Sequence, residues 1–283
     1  MMTVREAYIK CKEILADSKI EDEAFEALCL FEKVTGFDRL GIISHGNEQI
    51  TEEKLSELLS LVKRRCEHEP LQYILESWSF CGFDFCVGKG VLIPRDDTEV
   101  VVNLCLDYLK NSESKKVIDL CAGSGAISVA LEKLAVAEVT ALELSDDAFK
   151  FLIKNIKLNN TKVKAVKGDI FKSYCDFEDD TFDLIVSNPP YIKSDDIQTL
   201  QAEVQQEPRL ALDGGKSGYD FYEAIIKNWS SKLRHGGALA FELGENQSDY
   251  VANLMNSNGF DNIRTSLDLG GVQRAIIGTM IKK

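Results

Sequence analysis

Four consecutive residues, Asn188-Pro189-Pro190-Tyr191, suit the chemistry of methyl transfer to a planar nitrogen. The two prolines lack an N–H and have a fixed φ, so the segment is predicted to form a stiff shelf after a strand. An amide or aromatic amine nitrogen is a poor nucleophile because its lone pair is delocalised. The Asn188 side-chain oxygen and the Pro189 carbonyl can hold its N–H groups while the nitrogen pyramidalises. With Tyr191 stacking on the planar group, we predict all four residues to be catalytic and substrate-binding.

The stretch from Val117 to Ile127 has the pattern of a buried strand, a glycine-containing turn and a helix start. Glycines let the backbone of such a turn approach a ligand closely, and the amides of the helix N-terminus point at it. We therefore predict that the turn binds a nucleotide-like cofactor through Cys121, Ala122, Gly123, Ser124 and Gly125. NAD-binding proteins use the same device, and a turn without a ligand has the same pattern, so this segment alone does not identify the cofactor.

Acidic residues follow the next two predicted strands. Glu143 is expected at the edge of the sheet, within reach of ribose hydroxyls. Asp169 can accept from the exocyclic amine of adenine, with Ile170 against the ring. A solvated strand-end acid and a helix N-cap are the alternative interpretations of the two acids. We predict Glu143, Asp169 and Ile170 as cofactor-binding residues.

Charge and composition narrow the class of protein. The chain has 283 residues and a formal net charge of -13, which argues against binding nucleic acid mainly through long-range charge. Its eight cysteines are scattered without a CxxC pair, so neither a metal site nor a disulfide framework is predicted. Without an apolar signal segment or a long apolar stretch, a reduced cytoplasmic protein is expected.

The patterning of apolar residues divides the chain into three parts. Residues 1–76 show helical spacing and predict a small helical bundle, with a helix from Thr51 to about Cys66 capped by Thr51. Residues 77–93 alternate with a period of two and predict a β-hairpin linker. In residues 94–283 strands alternate with helices, which predicts an α/β domain with a mostly parallel sheet and an antiparallel C-terminal hairpin.

The strands and helices predicted for the α/β domain can be given bounds. The predicted strands are Lys116–Leu120, Glu138–Leu144, Lys162–Val166, Phe182–Ser187, Gly237–Leu243, Ile263–Leu267 and Val272–Thr279, and the predicted helices include Ser145–Asn159 and Tyr219–Leu233. Because carboxyl ends of parallel strands meet at one edge of a sheet, this arrangement brings the cofactor turn and the Asn188 shelf to the same edge.

Together these segments resemble the HemK/PrmC family, the N5-glutamine methyltransferases of peptide chain release factors. The matching segments are Pro70–Ile74, Leu92–Arg95 with Thr98-Glu99, Asp119–Gly125, Ser187–Ile192, Glu207–Gly215, and Asp268–Gly270 with Arg274. The resemblance implies a Rossmann-like, seven-stranded class I methyltransferase sheet and an N-terminal helical domain that helps to dock the substrate protein.

The resemblance also implies the cofactor, the substrate and the residues that hold them. The cofactor is S-adenosyl-L-methionine, which leaves as S-adenosyl-L-homocysteine, and the substrate is the glutamine of the Gly-Gly-Gln motif in class 1 release factors. Cys121–Gly125 and Glu143 would hold the methionine and ribose parts, and Asp169 and Ile170 would flank the adenine. Asn188 would face both the cofactor and the substrate, so the resemblance makes it a cofactor-binding residue as well. Pro94 and Arg95 would help to shape the glutamine pocket.

The chain departs from the family pattern around the cofactor. Cys121 replaces the usual first glycine of the turn, Glu143 replaces an Asp, and Ile170 replaces an aromatic residue that often follows the third-strand Asp. These departures bear on cofactor affinity more than on the reaction.

Two other functions remain open on the sequence. An Asn-Pro-Pro-Tyr segment is shared with N6-adenine methyltransferases of DNA or RNA, although the net charge disfavours them. A non-catalytic cofactor-binding module is the third hypothesis. We expect a monomer that methylates a release factor, with no membrane association and no direct nucleic-acid binding.

Overall fold

The computed structural model describes residues 2–110, 112 and 114–281. The chain divides into two compact units, one of residues 1–77 with residues 201–206, the other of residues 78–200 with residues 207–283. The domain limits of 76 and 93 stay predictions.

The first unit is built from helices. They are α1 (Val4–Asp17), α2 (Glu23–Thr35), α3 (Arg39–Ser44), α4 (Glu52–Cys66) and α5 (Leu71–Leu75). Thr3 and Glu6 form a capping box at the start of α1, and the Thr51 side chain accepts from the Lys54 N–H at the start of α4, as its position predicts. A buried apolar core that includes Leu15, Leu30, Phe31, Leu58, Val62 and Ile74 holds these helices together.

Residues 201–206 belong to the helical unit although they are distant from it in sequence. The buried Arg65 guanidinium donates to both carboxylate oxygens of Glu26 and, at 2.9 Å, to Glu203 Oε1. Gln206 Nε2 donates to the Glu67 carbonyl at 3.1 Å. The sequence did not predict this attachment, because Arg65 and Glu203 are 138 positions apart.

The predicted hairpin is present as a two-stranded sheet of β1 (Ser77–Phe80) and β2 (Phe83–Cys86). Its two-residue connection, Cys81-Gly82, has φ of 49° and 78°. Two positive φ values are what a type I′ hairpin turn requires.

The second unit contains a seven-stranded sheet. The remaining strands are β3 (Lys116–Leu120), β4 (Glu138–Glu143), β5 (Lys164–Lys167), β6 (Phe182–Ser187), β7 (Leu233–Glu242), β8 (Phe260–Leu267) and β9 (Gln273–Met280). Their order in the sheet is β5-β4-β3-β6-β7-β9-β8. Strands β3 to β7 pair in parallel, and β9 pairs antiparallel with both β7 and β8. The mostly parallel sheet with an antiparallel C-terminal hairpin is therefore confirmed.

Helices cover both faces of this sheet. They are α6 (Thr98–Leu109), α7 (Ala126–Ala135), α8 (Asp146–Leu158), α9 (Asp220–Trp229) and α10 (Ser248–Ser257). Successive residues of a strand face opposite sides, so Val117 joins the core under α6 to α8, and Ile118 joins the core under α9 and α10. The domain is a three-layer α/β sandwich, the Rossmann-like arrangement expected.

Some predicted boundaries were wrong. The helix predicted to end at Leu233 stops at Trp229 and passes through a short 3-10 turn. Strand β7 begins at Leu233 and not at Gly237, because Leu233 already pairs with Phe182; the register then shifts, so that Leu184 pairs with Ala238. A bulge of this kind leaves no pattern in the apolar residues.

The described helices include none that is long and apolar enough to cross a membrane.

Candidate functional site

A cleft with an empty volume of about 1160 Å³ opens at the carboxyl ends of the central parallel strands. In open α/β sheets, ligands bind at this edge, where the strand order reverses. Its lining comes from the residues after four strands and from the segments near Pro94 and Leu210. The residues predicted as site residues that line it are Pro94, Arg95, Cys121, Ala122, Gly123, Ser124, Glu143, Asp169, Ile170, Asn188 and Pro190. Gly125, Pro189 and Tyr191 do not.

The turn between β3 and α7 has an unusual backbone. Cys121, Gly123 and Gly125 have φ of 63°, 57° and 83°. Positive φ is strained for a residue with a Cβ, which explains why glycine is the natural residue where this chain has Cys121. A Cβ on Gly123 would meet no atom within 4 Å, whereas a Cβ on Gly125 would lie 2.6 Å from Leu152 Cδ1. Gly123 therefore borders open space, and Gly125 is packed against α8.

Glu143 ends β4 and is not the solvated acid of the alternative interpretation, because it is only 7% exposed. Its Oε2 accepts from the Gly123 N–H at 2.8 Å, and its Oε1 accepts from the Ser145 N–H at 2.6 Å. The carboxylate thus fixes the cofactor turn from the neighbouring strand. A carboxylate has about four acceptor positions, so two such bonds leave it able to accept ribose hydroxyls.

Asp119 lies two residues before Cys121 and is buried on β3. Ser128 Oγ donates to its Oδ2 at 2.6 Å, but its Oδ1 accepts no hydrogen bond from the described part of the chain. Burial raises the pKa of this carboxyl to about 7. A buried oxygen without a partner is uncommon in proteins, and sequence reasoning gave Asp119 no individual role.

Asp169 and the residues after it border the cleft beyond β5. Asp169 Oδ1 accepts from the Phe171 N–H at 2.9 Å, which makes an Asx turn and not the helix N-cap of the alternative interpretation. Ile170 is buried. Phe171 lies edge-on to Phe221, with ring centroids 5.2 Å apart, and both rings line the cleft. Ile170 stands where the family pattern often has an aromatic residue, and this chain has an aromatic surface one residue later, shared with α9.

The Asn188-Pro189-Pro190-Tyr191 shelf follows β6 directly. The half-buried Asn188 donates through Nδ2 to Thr98 Oγ1 at 3.3 Å, and its Oδ1 accepts no hydrogen bond from any described residue. Pro189 and Pro190 are buried. Tyr191 turns towards the interior, where its hydroxyl donates to Glu242 Oε1 at 3.1 Å. Stacking of Tyr191 on a substrate stays a prediction.

Thr98 lines this end of the cleft, Glu242 is buried beside Thr98, and neither was among the predicted site residues. Both are buried, and Thr98 Oγ1 donates to Glu242 Oε2 at 2.5 Å. Burial raises the pKa of Glu242 to about 7 despite the hydrogen bonds that it accepts from Thr98 and Tyr191. Glu242 ends β7 at the same edge of the sheet as the other site residues. Its position near the end of a predicted strand could therefore have marked it as a candidate from the sequence.

Two further contacts hold the shelf in place. The buried Gln247 side chain donates to the Tyr191 carbonyl at 3.0 Å and accepts from the Gly244 N–H at 3.0 Å. The Ile192 N–H donates to the Leu212 carbonyl, so the segment 207–215 lies beside the shelf. The backbone at Tyr191 and Ile192, where the shelf ends, is thus held from two directions.

Arg95 and Glu207 form an ion pair near the cleft. Glu207 is buried, and its Oε2 also accepts from the Ile93 N–H at 2.9 Å. Burial raises the pKa of the Glu207 carboxyl, and the Arg95 guanidinium opposes that rise. This pair ties the segments 93–95 and 207–211, both of which line the cleft.

In the part of the chain that the structure describes, no group of three His, Cys, Asp or Glu side chains is arranged to hold a metal ion.

Two family models match this chain. A PrmC N-terminal domain covers residues 6–75, and a Methyltransferase small domain covers residues 88–216. The release factor glutamine methyltransferase of Geobacter sulfurreducens is 38% identical over 278 residues, which are 98% of this chain and 96% of that protein. The protein of the same name from Clostridium acetobutylicum is 35% identical and is covered to 98% in both chains.

Two solved structures share the fold of most of this chain. A methyltransferase from Pyrococcus furiosus has a TM-score of 0.52 at 21% identity, covering 71% of this chain and 90% of that one. The hMettl16 catalytic domain, solved with an RNA hairpin, has a TM-score of 0.57 at 15% identity, covering 82% and 84%. At these identities the likeness establishes the fold alone.

Proposed function

Because this chain belongs to the release factor glutamine methyltransferase family, we propose that it methylates the side-chain amide nitrogen, N5, of the glutamine in the Gly-Gly-Gln motif of class 1 release factors. The methyl donor is S-adenosyl-L-methionine, and the product is S-adenosyl-L-homocysteine. The observation that supports this reaction best is the Asn188 side chain, which borders the cleft; its Nδ2 donates to Thr98, and its Oδ1 accepts from no residue that the structure describes.

The residues at the β3–β4 end of the cleft fit the cofactor. Its amino-acid part carries an ammonium group, and the unpartnered Asp119 Oδ1 is the acceptor that such a group would satisfy. The open space beside Gly123 admits a ligand close to the backbone. Glu143 accepts from the ribose hydroxyls. Asp169, Ile170 and the aromatic rings after them contact the adenine. Bound there, the cofactor supplies an electrophilic methyl group on a sulfonium.

At the β6–β7 end, the protein orients a weak nucleophile. Asn188 Oδ1 accepts from one N–H of the substrate amide, and the Pro189 carbonyl accepts from the other. Both acceptors favour the positive charge that develops on nitrogen as the N–C bond forms and the bond from sulfur to methyl breaks. The methylated nitrogen then loses one proton to solvent, so no strong base is needed. Orientation accounts for most of the catalysis.

Several contributions to substrate recognition are part of the same proposal. The helical domain of residues 1–76 helps to dock the release factor, and Pro94 and Arg95 shape the entrance for its glutamine. Glu207 holds Arg95 in place for that purpose. We further propose that the protein acts as a cytoplasmic monomer and binds no nucleic acid directly.

The test is methyl transfer to an intact release factor. The protein and S-adenosyl-L-methionine are incubated with the factor, and the site of the added methyl group is mapped by mass spectrometry. A release factor whose motif glutamine is replaced by alanine is the matched control and should gain no methyl group. Methyl transfer to adenine in an oligonucleotide, with none to the release factor, would overturn the proposal.

A further inference from the structure

The side chains of Asn188, Thr98 and Glu242 form one continuous chain of hydrogen bonds. Asn188 Nδ2 donates to Thr98 Oγ1 at 3.3 Å, and Thr98 Oγ1 donates to Glu242 Oε2 at 2.5 Å. Thr98 is 4% exposed and Glu242 is 2% exposed, so solvent cannot replace these partners freely. Asn188 directly follows β6, Thr98 is the first residue of α6, and Glu242 is the last residue of β7.

The direction of this chain follows from the number of hydrogens available. A threonine hydroxyl has a single hydrogen, and an ionised carboxylate can only accept. Once Thr98 gives its hydrogen to Glu242, its oxygen can only accept from Asn188. The amide of Asn188 must then turn its NH₂ group to Thr98 and its oxygen away, into the cleft.

We propose that Thr98 and Glu242 are positioning residues that fix the orientation of the Asn188 amide, so that its oxygen and not its NH₂ group faces the substrate nitrogen. The inference rests on the proposed methyl transfer. An Asn188 amide turned the other way would present donors to the substrate amide and leave the N–H of the reacting nitrogen without its acceptor. The orientation of this one amide therefore decides whether the shelf is productive.

Tyr191 holds the other end of the same carboxylate. Its hydroxyl donates to Glu242 Oε1 at 3.1 Å, which leaves Oε2 for Thr98. The Tyr222 hydroxyl donates to the backbone carbonyl of Glu242 at 2.9 Å. Tyr191 thus contributes to the orientation of Asn188 from a position that does not line the cleft.

The charged groups around Glu242 are partly compensated. Arg274 on β9 favours the ionised carboxylate, and Asp97 at the start of α6 opposes it. Arg274 is itself paired with Asp268 at 3.1 Å and with Asp97 at 3.4 Å. With the phenols of Tyr191 and Tyr222, these groups leave Glu242 with a pKa raised by burial to about 7.

When Glu242 is protonated, its carboxyl no longer has to accept from Thr98, so the direction of these hydrogen bonds is no longer fixed. A neutral carboxyl can donate to Thr98, and Thr98 can then donate to an Asn188 amide turned by half a rotation. The orientation that we assign is therefore enforced above about pH 7 and is lost below it. In the wild-type protein, kcat should rise with pH through this range when the cofactor is saturating.

The experiment compares Thr98→Val, Thr98→Ser and Glu242→Gln with the wild type. Valine keeps the shape of threonine and removes the hydroxyl, whereas serine keeps the hydroxyl. We expect Thr98→Val to lower kcat by about 10- to 100-fold, as misplacement of a reacting group does. The Kd of S-adenosyl-L-methionine should stay unchanged, and Thr98→Ser should restore kcat.

Glu242→Gln keeps the hydrogen bonds between Asn188, Thr98 and residue 242, and it tests whether their direction depends on the charge of Glu242. The glutamine oxygen can accept from Thr98 at every pH while its NH₂ group faces the Tyr191 hydroxyl. This variant should keep most of the wild-type kcat at pH 8 and should lose the fall in kcat between pH 8 and pH 6. If Thr98→Val does not fold, this pH profile decides alone.

The outcomes separate this inference from the proposed function. If the wild type leaves the motif glutamine unmethylated, the proposed function fails. If the wild type methylates it and Thr98→Val has the same kcat as the wild type, the positioning role of Thr98 and Glu242 is refuted while the proposed function stands. A Glu242→Gln variant that keeps the wild-type fall in kcat refutes it as well.

Discussion

At the β3–β4 end of the cleft a buried carboxylate, Asp119, keeps one oxygen without a partner, whereas at the β6–β7 end a second buried carboxylate, Glu242, has both oxygens occupied. Burial raises the pKa of each to about 7. The two carboxylates differ in their hydrogen-bond partners. Asp119 keeps one acceptor that no described residue satisfies, and Glu242 accepts hydrogen bonds from the side chains around it. We propose that the first carboxylate meets the cofactor and that the second fixes the orientation of Asn188.

The two ends also differ in how they are assembled. The turn at Cys121–Gly125 is fixed mostly by backbone amides and by Glu143, within a short stretch of chain. The shelf at Asn188 depends on Thr98 and Glu242, which lie 90 and 54 positions away. This contrast predicts that substitutions at the first end change cofactor binding and that substitutions at the second change kcat.

Removal of the Asn188 side chain should have the largest effect. In Asn188→Ala the substrate nitrogen loses its acceptor, and kcat should fall by about 10²–10³-fold, as for loss of one preorganised hydrogen-bonding group. Thermal unfolding should change little, because Asn188 is only half-buried. Steady-state kinetics with a release factor and circular dichroism check the two parts. An unchanged kcat would show that the shelf does not orient the substrate.

The sequence predicts the parts of the cleft that depend on local segments better than the parts that depend on contacts between distant residues. The cofactor turn, Glu143 and the Asn188 shelf are short segments at the ends of strands, so their neighbourhood could be inferred from the order of strands and helices alone. Thr98, Glu242 and Gln247 have their roles only through contacts made across the fold. Nothing in the sequence around Thr98 indicates that its hydroxyl meets Asn188, because that contact depends on how α6 packs against the sheet.

The same reasoning explains two features of the predicted site residues that the sequence does not show. Gly125 has the same local pattern as Gly123, yet it packs on Leu152 and does not line the cleft. Tyr191 is predicted to stack on the planar substrate group, and its hydroxyl donates to Glu242 in the interior. Which way a side chain turns is decided by partners that are distant in sequence.

Asp119→Asn tests the open carboxylate at the cofactor end. The Kd of S-adenosyl-L-methionine should rise about 10- to 100-fold, as for a lost hydrogen bond to a charged group worth about 1.5–3 kcal/mol. Isothermal titration calorimetry measures this change. Binding as tight as that of the wild type would show that the unpartnered oxygen does not meet the cofactor.

The same substitution has a pH-dependent effect on stability. The pKa of Asp119 is raised from 3.8 to about 7 in the folded protein, so between these values the folded state holds a proton that the unfolded state has lost. The free energy of unfolding of the wild type therefore falls as pH rises through this window. Asp119→Asn removes that contribution, so urea unfolding without cofactor should favour the variant more at pH 8 than at pH 5. An equal difference at both values would contradict this account.

Gly123 and Gly125 form a matched pair within the cofactor turn. Both have positive φ, so alanine strains the backbone similarly at each, but only at Gly125 does a Cβ meet Leu152. We expect Gly125→Ala to be less stable than Gly123→Ala by about 1–3 kcal/mol, the usual cost of overpacking. Gly123→Ala should instead weaken cofactor binding, because its Cβ enters the cleft. Equal stability of the two variants in urea unfolding would contradict the packing that we describe.

The smallest effect is expected at the aromatic surface beyond β5. Phe171 is 44% exposed, so its replacement by alanine should leave the free energy of unfolding almost unchanged. Its ring borders the cleft beside Phe221, and a contact between this ring and the adenine of the cofactor would contribute about 0.5–1.5 kcal/mol to binding. Phe171→Ala should therefore raise the Kd of S-adenosyl-L-methionine by about 2- to 10-fold.

The kinetic consequence separates the two ends of the cleft. With the cofactor saturating, Phe171→Ala should have the kcat of the wild type, since Phe171 follows β5 and its ring pairs with Phe221, whereas the Asn188 shelf follows β6, two strands further along the sheet from β4. Thr98→Val should show the opposite pattern, with a lower kcat and an unchanged Kd. A fall in kcat for Phe171→Ala at saturating cofactor would mean that the two ends act as one unit, because the adenine contacts would then also set the position of the reacting methyl group.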